Sequence, residues 1–300
     1  MHVPERVVTN QEIGELAHCD PAWIEGVSGI RERRWADPES SVADLAVEAA
    51  KDCLDRASLS AASLGMLIVA SGSGASGFPG PAAAVAAALG LETTPALDVP
   101  MASAGSLFGL ALASKLVEFH GDVLVIGAEK MSAVIQASSL DPNTAILFGD
   151  GAGAALVSSR PAGWKIVDAV LHTDGQFRDV LTFDWKSGLR MDGKSVILQA
   201  TRKLPSVIHE LLERQSLTPA EIRAFLLHQA NQNLSLRVAK ALNVPEEKVY
   251  SNVARYGNTS SASMLIAAAE WSQTHPAPGP IVFSAFGAGF HWGALLARPA

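Results

Sequence analysis

The sequence predicts an α/β protein built from two similar halves packed back to back, and three observations lead there. Short apolar strands alternate with helices along most of the chain, the pattern of βαβ units and a mostly parallel sheet. The 300 residues, 48% of them hydrophobic, are enough to bury a large core. Two apolar strands around a glycine-rich turn occupy residues 146–157, and the arrangement returns at 281–296, a repeat on the scale of a duplication. The boundary falls near residue 160, giving halves 1–160 and 161–300.

Residues 3–10 read as an opening with no strand before it, and Thr9 or Asn10 supplies an N-cap for a helix from Gln11. Asp20-Pro21 offers a second cap and an N1 proline to the helix carrying Trp23. The turn Ser28-Gly29 leads into the basic cluster Arg31, Arg33 and Arg34, read as a solvated face. Residues 41–57 form an amphipathic helix with Val42, Leu45, Ala46, Ala49, Cys53 and Leu54 on one side. Residues 66–70 are a fully buried strand bounded by the loop 71–77, and an alanine-rich helix follows through Leu89. A strand at 95–99 precedes a helix at 103–119, and 122–127 is a further apolar strand. In the second half, helices are expected near 196–215, 231–242 and 261–273.

The junction Leu97-Asp98-Val99-Pro100-Met101-Ala102-Ser103-Ala104-Gly105 stands at the centre of this organisation. An apolar run ends, small residues follow, and an alanine- and leucine-rich helix begins. A hydroxyl at Ser103 sits at the positive end of that helix dipole, where developing negative charge is stabilised. The small neighbours Ala102, Ala104 and Gly105 let a substrate and backbone N–H groups come close.

Composition excludes several classes. A formal net charge of −7 argues against a general nucleic-acid binder, whose footprint is basic. Cys19 and Cys53 cannot build a disulfide framework and read as two reduced thiols. No secretory signal pattern opens the chain, and no apolar run is long enough to cross a bilayer, so a soluble cytoplasmic protein is expected. The histidines and cysteines show no ligand spacing, so neither metal nor other cofactor is expected. His291, inside the last glycine turn, reads as structural rather than catalytic.

Two further junctions place polar groups where strands stop. The buried strand 225–227 delivers His228, followed by Gln229, Ala230 and Asn231 at a helix opening. The turn Tyr256-Gly257-Asn258-Thr259-Ser260-Ser261-Ala262-Ser263 feeds another helix. Each alone reads as structural, a satisfied histidine and a helix cap. With Ser103 they form a set: a nucleophile, a base and an amide, in the region outside the carboxyl ends of strands where such sheets bind ligands.

Five motifs in order then make a close resemblance to β-ketoacyl-acyl-carrier-protein synthase III, a branch of the thiolase-like condensing enzymes. They are Ser28-Gly29-Ile30-Arg31-Glu32-Arg33, Phe148-Gly149-Asp150-Gly151-Ala152-Gly153-Ala154, His228-Gln229-Ala230-Asn231, Gly257-Asn258-Thr259-Ser260 and Phe286-Gly287-Ala288-Gly289-Phe290-His291-Trp292-Gly293. The resemblance covers nearly the whole chain. It implies a thiolase-like fold of five layers, αβαβα, and a Cys-His-Asn triad at the bottom of a pantetheine tunnel. His228 and Asn258 match the histidine and the asparagine, while Ser103 stands where the cysteine is expected. A serine hydroxyl needs a base to take its proton, which His228 would supply, and its oxygen ester is a poorer acyl donor than a thioester. The oxyanion would be held by N–H groups of Ser103 and of the turn Gly287-Ala288-Gly289.

The resemblance also assigns Trp23, Phe78, Asn231 and Phe286 to the substrate tunnel and Arg237 and Lys240 to carrier-protein docking. Phe78 matches a residue that reaches across a dimer into the acyl pocket, so a homodimer is implied. Val27 replaces an arginine that holds the adenine end of coenzyme A, a second arginine near Asp141 is missing, and Asn233 replaces a third. The opening sheet-edge strand of the family is also missing. These departures favour an acyl carrier protein over coenzyme A as donor. The expected activity is acyl transfer from carrier protein or coenzyme A onto Ser103, then to a malonyl-derived enolate or another acceptor, in fatty-acid or polyketide synthesis. Two other readings stand beside it: an ordinary synthase III with an engineered Cys-to-Ser change, and a non-catalytic partner subunit that binds acyl carriers.

Overall fold

The structure is a computed structural model that describes residues 1–74, 77–138, 141–161, 163–275 and 279–300. The expected loop 71–77 is therefore described except at residues 75 and 76. Two short strands, β1 (Val7–Thr9) and β2 (Glu32–Arg34), pair antiparallel beside the first sheet. That sheet holds β3 (Met66–Ala70), β4 (Ala96–Val99), β5 (Val123–Lys130) and β6 (Asp150–Val157) in the order β4-β3-β5-β6. The second sheet contains β7 (Trp164–Thr173) and, after the small hairpin β8 (Leu181–Asp184) and β9 (Gly188–Met191), also β10 (Ala224–Leu227), β11 (Ile281–Gly287) and β12 (His291–Pro299). Its order is β10-β11-β12-β7.

Alternation along the strands explains why three helical layers are needed. Leu67 and Val69 of β3 point outward and pack with Leu45, Ala49 and Val85, from the helices Val42–Arg56 and Pro81–Ala88. Met66 and Ile68 point the other way, into a cluster with Leu107 and Leu110 of the helix Gly105–His120 and Met264 and Leu265 of the helix Ser263–Thr274. The same cluster receives Ala224 and Leu226 from β10, so these two helices lie between the sheets. Phe225 and Leu227 face outward onto Leu204 and Ile208 of Gly193–Arg214 and Val238 of Gln232–Ala241. Each sheet thus buries both faces, as period-two side-chain alternation between helical layers requires. The five layers run αβαβα.

Local chemistry sets several element ends as expected. Ser41 and Asp44 form a reciprocal capping box at the start of Val42–Arg56. Thr9 caps the helix Asn10–Ala17, and Asp20 with Pro21 opens Pro21–Ser28.

Three expectations are corrected. The sheets are not mostly parallel: β3/β4, β3/β5 and β10/β11 are parallel, whereas β5/β6, β11/β12 and β12/β7 are antiparallel. Of these antiparallel pairs only β11/β12 is joined by a tight glycine turn, at residues 288–290; residues 150–157, expected to follow a glycine turn from another strand, run unbroken as β6, which residues 131–149 separate from β5. Beside them, residues 7–9 form β1 because Val7, Val8 and Thr9 are β-branched and Glu32–Arg34 offers an edge. Arg33 is not on a solvated face. It is fully buried, with Nη1 donating to Asn10 Oδ1 at 2.8 Å and Nη2 to the Ile146 carbonyl at 2.6 Å. Only Arg31 and Arg34 of that cluster reach carboxylates, Glu25 and Glu32.

Candidate active site

β4 ends at Val99, and the chain turns twice before the central helix begins at Gly105. The Met101 amide donates to the Val99 carbonyl and the Ala104 amide to that of Ala102, both at 2.8 Å. Between them Ser103 takes φ +64°, a left-handed conformation that is uncommon for a residue with a Cβ. The bend directs a largely buried serine to the opening of the helix. Gly287, at the end of β11, lies directly on this turn. A Cβ there would stand 2.1 Å from the Ala102 carbonyl oxygen and 3.1 Å from Ser103 Cβ, so only glycine fits.

His228 leaves β10 with its amide bound to the Ser284 carbonyl at 2.9 Å. Its ring is buried, and Nδ1 lies 2.6 Å from Ser263 Oγ. Burial lowers its pKa to about 4, with the Ser260 backbone pulling the other way. The imidazole is therefore neutral at physiological pH. Asn258 is anchored by the segment that leads into β6, since its amide donates to the Leu147 carbonyl and its own carbonyl accepts from Gly149. Its side-chain Oδ1 accepts from the Ser260 amide at 2.9 Å.

The predicted nucleophile, base and amide are brought together around one residue that sequence reasoning treated only as part of a turn. Ser260 receives the Ser103 amide on its Oγ at 3.0 Å and donates its own amide to Asn258 Oδ1, and its backbone opposes the burial that lowers the His228 pKa. Like Ser103 it has positive φ, +45°. The Ser103 N–H, expected to hold an oxyanion, donates to Ser260 Oγ in this structure.

Two further supports were missed. Glu129, fully buried at the end of β5, accepts from Ser71 Oγ, from the amides of Gly72 and Ser73, and from the Ser261 amide at 3.1 Å. It ties a first-half loop to the residue after Ser260. A lone acid closing an apolar strand was its sequence signal. Ser263 faces His228 from the last helix, and nothing in its sequence context separates it from neighbouring serines.

The other predicted residues are placed as follows. Asn231 caps Gln232–Ala241 through Asn233, and its Nδ2 donates to the Val27 carbonyl at 3.1 Å. Asn233 binds the same carbonyl at 2.9 Å, so both asparagines fasten the end of Pro21–Ser28 to the His228 loop. Trp23 lies on the exposed face of that helix, and Arg237 and Lys240 are exposed on Gln232–Ala241. Phe78 is 99% exposed. Phe286 is buried against Phe290 at 4.6 Å on the outer side of the second sheet, where Phe225 and Val282 also pack. Ala288 and Gly289 form the turn after Gly287, and His291 is held by Thr173 Oγ1 at 2.8 Å. Among the described residues, no cluster of three His, Cys, Asp or Glu is arranged to hold a metal, and no helix is long and apolar enough to cross a membrane.

The family profile described as 3-oxoacyl-[acyl-carrier-protein] synthase III matches residues 97–175, and its C-terminal counterpart matches 212–298. The β-ketoacyl-[acyl-carrier-protein] synthase III of Caldanaerobacter subterraneus is 37% identical, over 99% of this chain and 95% of that protein. The crystal structure of 3-oxoacyl-[acyl-carrier-protein] synthase III from Aquifex aeolicus superposes with a TM-score of 0.94 at 34% identity, over 99% of this chain and 97% of that one. The priming β-ketosynthase of the R1128 polyketide pathway gives 0.91 at 30% identity, over 100% and 95%. The five-layered architecture is thus the thiolase-like fold, and the matched segments contain the Ser103, His228 and Asn258 junctions. By sequence and by fold, the chain belongs to the β-ketoacyl-acyl-carrier-protein synthase III family of acyltransferases.

Proposed function

We propose that this chain is a ketosynthase III-like acyltransferase in which Ser103 occupies the position of the family's nucleophilic cysteine. The observation that carries the reading is the convergence of Ser103 and Asn258 on Ser260 and of His228 on Ser263, three residues further along the same turn, at the seam between the two halves. An acyl thioester of a carrier protein or of coenzyme A is attacked at its carbonyl by Ser103 Oγ. The C–S bond breaks, and the thiol leaves with the proton that Ser103 gives up. A malonyl thioester then loses carbon dioxide, and the carbanion attacks the Ser103 ester, making a β-ketoacyl product as the C–O bond to Ser103 breaks and the serine oxygen takes a proton from solvent. His228 and Asn258 would hydrogen-bond the thioester oxygen that carries charge during decarboxylation. Another acceptor nucleophile in place of the malonyl group gives simple acyl transfer. No bound cofactor takes part in this scheme, and fatty-acid or polyketide synthesis is the setting proposed for it.

A carrier protein is the favoured donor. Val27 presents no charge where an arginine would meet coenzyme A, whereas Arg237 and Lys240 offer exposed cations to an acidic carrier. The full exposure of Phe78 supports a homodimer in which that ring enters the partner's acyl pocket.

Intact-protein mass after incubation with acyl-carrier proteins and acyl-coenzyme A esters tests the reading. An acyl adduct absent from Ser103→Ala is expected. Carrier binding without an adduct overturns covalent transfer and favours a partner subunit. An adduct only in Ser103→Cys identifies a disabled condensing enzyme.

A further inference from the structure

Resting on that reading, we propose that Ser263 is a positioning residue that holds His228 as its Nε2–H tautomer, so that the ring offers substrate a proton rather than a lone pair. The hydrogen bonds around Ser263 decide the direction. Its Oγ lies 3.0 Å from the Gln229 amide, which can only donate, so one hydroxyl lone pair is filled. The same oxygen lies 2.6 Å from His228 Nδ1. Among the described residues, Nδ1 is the acceptor within reach of the Ser263 hydroxyl proton. Reversing the bond would make Nδ1 the donor and leave that proton without a partner inside a buried site, which is costly. Ser263 therefore donates, Nδ1 accepts, and the imidazole proton rests on Nε2.

The consequence divides the two half-reactions. A neutral Nε2–H donates to the oxygen of a thioester enolate, as decarboxylative condensation requires. It cannot take the Ser103 proton, because its one free lone pair is already bound at Nδ1. The expectation that His228 serves as base towards Ser103 is accordingly replaced. His228 and Ser263 form a unit for the second step, and Ser103 is acylated without help from the imidazole.

Nitrogen NMR of histidine-labelled full-length protein at neutral pH tests this directly, with the His228 resonances identified by their loss in His228→Gln. Nδ1 is expected at the unprotonated position and Nε2 at the protonated one. In Ser263→Ala a mixture of tautomers is expected, with decarboxylation and condensation slowed about tenfold, the loss of one net hydrogen bond, and with acylation of residue 103 unchanged. Ser263→Thr restores both the spectrum and the rate. A protonated Nδ1 in the unaltered protein overturns the proposal, as does a Ser263→Ala spectrum identical to it. If Ser263→Ala does not fold, the spectrum of the unaltered protein alone decides. A spectrum as expected, with no turnover on any thioester, overturns the proposed activity while leaving the tautomer assignment standing.

Discussion

Replacing Gly287 by alanine separates tight packing at the nucleophile from ordinary glycine tolerance. The added Cβ would lie 2.1 Å from the Ala102 carbonyl oxygen, 2.9 Å from the Ala104 amide nitrogen and 3.1 Å from Ser103 Cβ. Ordinary contact begins near 3.4 Å, so the Ala102 carbonyl must retreat by about 1.3 Å. Two of the three obstacles are backbone atoms and cannot swing away as the end of a flexible side chain would. Overpacking of this kind costs roughly 1–3 kcal/mol of stability. A displacement of about 1 Å at a reacting group costs on the order of 100-fold in rate, about 2.7 kcal/mol of activation free energy. Gly26 is the control, because a Cβ there meets nothing within 4 Å and the residue lies in the helix Pro21–Ser28. Gly26→Ala is expected to be neutral or to stabilise by up to ~1 kcal/mol. Urea denaturation and the rate of acyl-adduct formation read both effects. A Gly287→Ala protein within ~0.5 kcal/mol of the parent and acylated at the parental rate would refute the inferred contact between this glycine and the Ser103 turn.

Three other perturbations probe separate parts of the molecule. His228 has a folded-state pKa of about 4 against an ordinary 6.5, so the unfolded chain binds the extra proton between those values. Its contribution to stability is complete above pH 6.5 and is lost as the pH falls towards 4, by roughly 3 kcal/mol in all. Urea midpoints at pH 7.5 and 4.5 should therefore separate more in the parent than in His228→Gln, and equal separations would contradict the assignment. Arg33→Met removes the donors that satisfy Asn10 Oδ1 and the Ile146 carbonyl, yet it also relieves a buried guanidinium whose pKa burial depresses to about 10. The lost donors outweigh the relief, and a net loss of roughly 2 kcal/mol is expected as a lower urea midpoint at unchanged slope; an unchanged midpoint rejects it. Changing Arg237 and Lys240 together to glutamate should weaken carrier-protein binding roughly tenfold at low salt and less at high salt, measured by titration calorimetry. An affinity independent of both charge and salt would remove this helix from the docking surface.

The sequence made the strand–helix order and the polar junctions legible because each has a local cause. The capping box at Ser41 and the cap-and-proline pair at Asp20-Pro21 are examples, where a side chain meets the backbone within three residues. Strand direction was less legible. The order β11-β12-β7 depends on tight turns and on partners more than a hundred residues apart, and strand composition does not encode them. Arg33 was misjudged for a similar reason, since its acceptors come from Val8, Asn10 and the distant Ile146, and a triplet of charges resembles a solvated face until β1 and β2 pair. At the site, Ser103, His228 and Asn258 were visible as polar residues at strand ends. Ser260, Ser263 and Glu129 were not, because a serine in a serine-rich turn has no distinguishing neighbours and a buried carboxylate is recognised only through donors gathered from Ser71, Gly72, Ser73 and Ser261.

Duplication explains why the site forms where it does. In the first half, β4 pairs parallel with β3, and the chain then turns through Ser103 into the central helix Gly105–His120. In the second half, Val249 pairs parallel with Phe225 of β10, and the chain turns through Ser260 into the other central helix, Ser263–Thr274. Ser103 and Ser260 thus hold corresponding places, and both adopt positive φ. Their contact, the Ser103 amide on Ser260 Oγ, joins the two halves at equivalent points. Two similar halves packed with their central helices side by side bring these corresponding junctions into contact. Once they meet, the copies are free to specialise. One junction carries the hydroxyl, and the other, with the neighbouring strand end of β10, carries Asn258 and His228. A change at Ser260 should therefore disturb acylation and condensation together, whereas one at Ser263 disturbs condensation alone. Separate single-turnover measurements of the two steps in Ser260→Ala and Ser263→Ala would expose that difference, and identical profiles would mean that the junctions do not act as distinct parts.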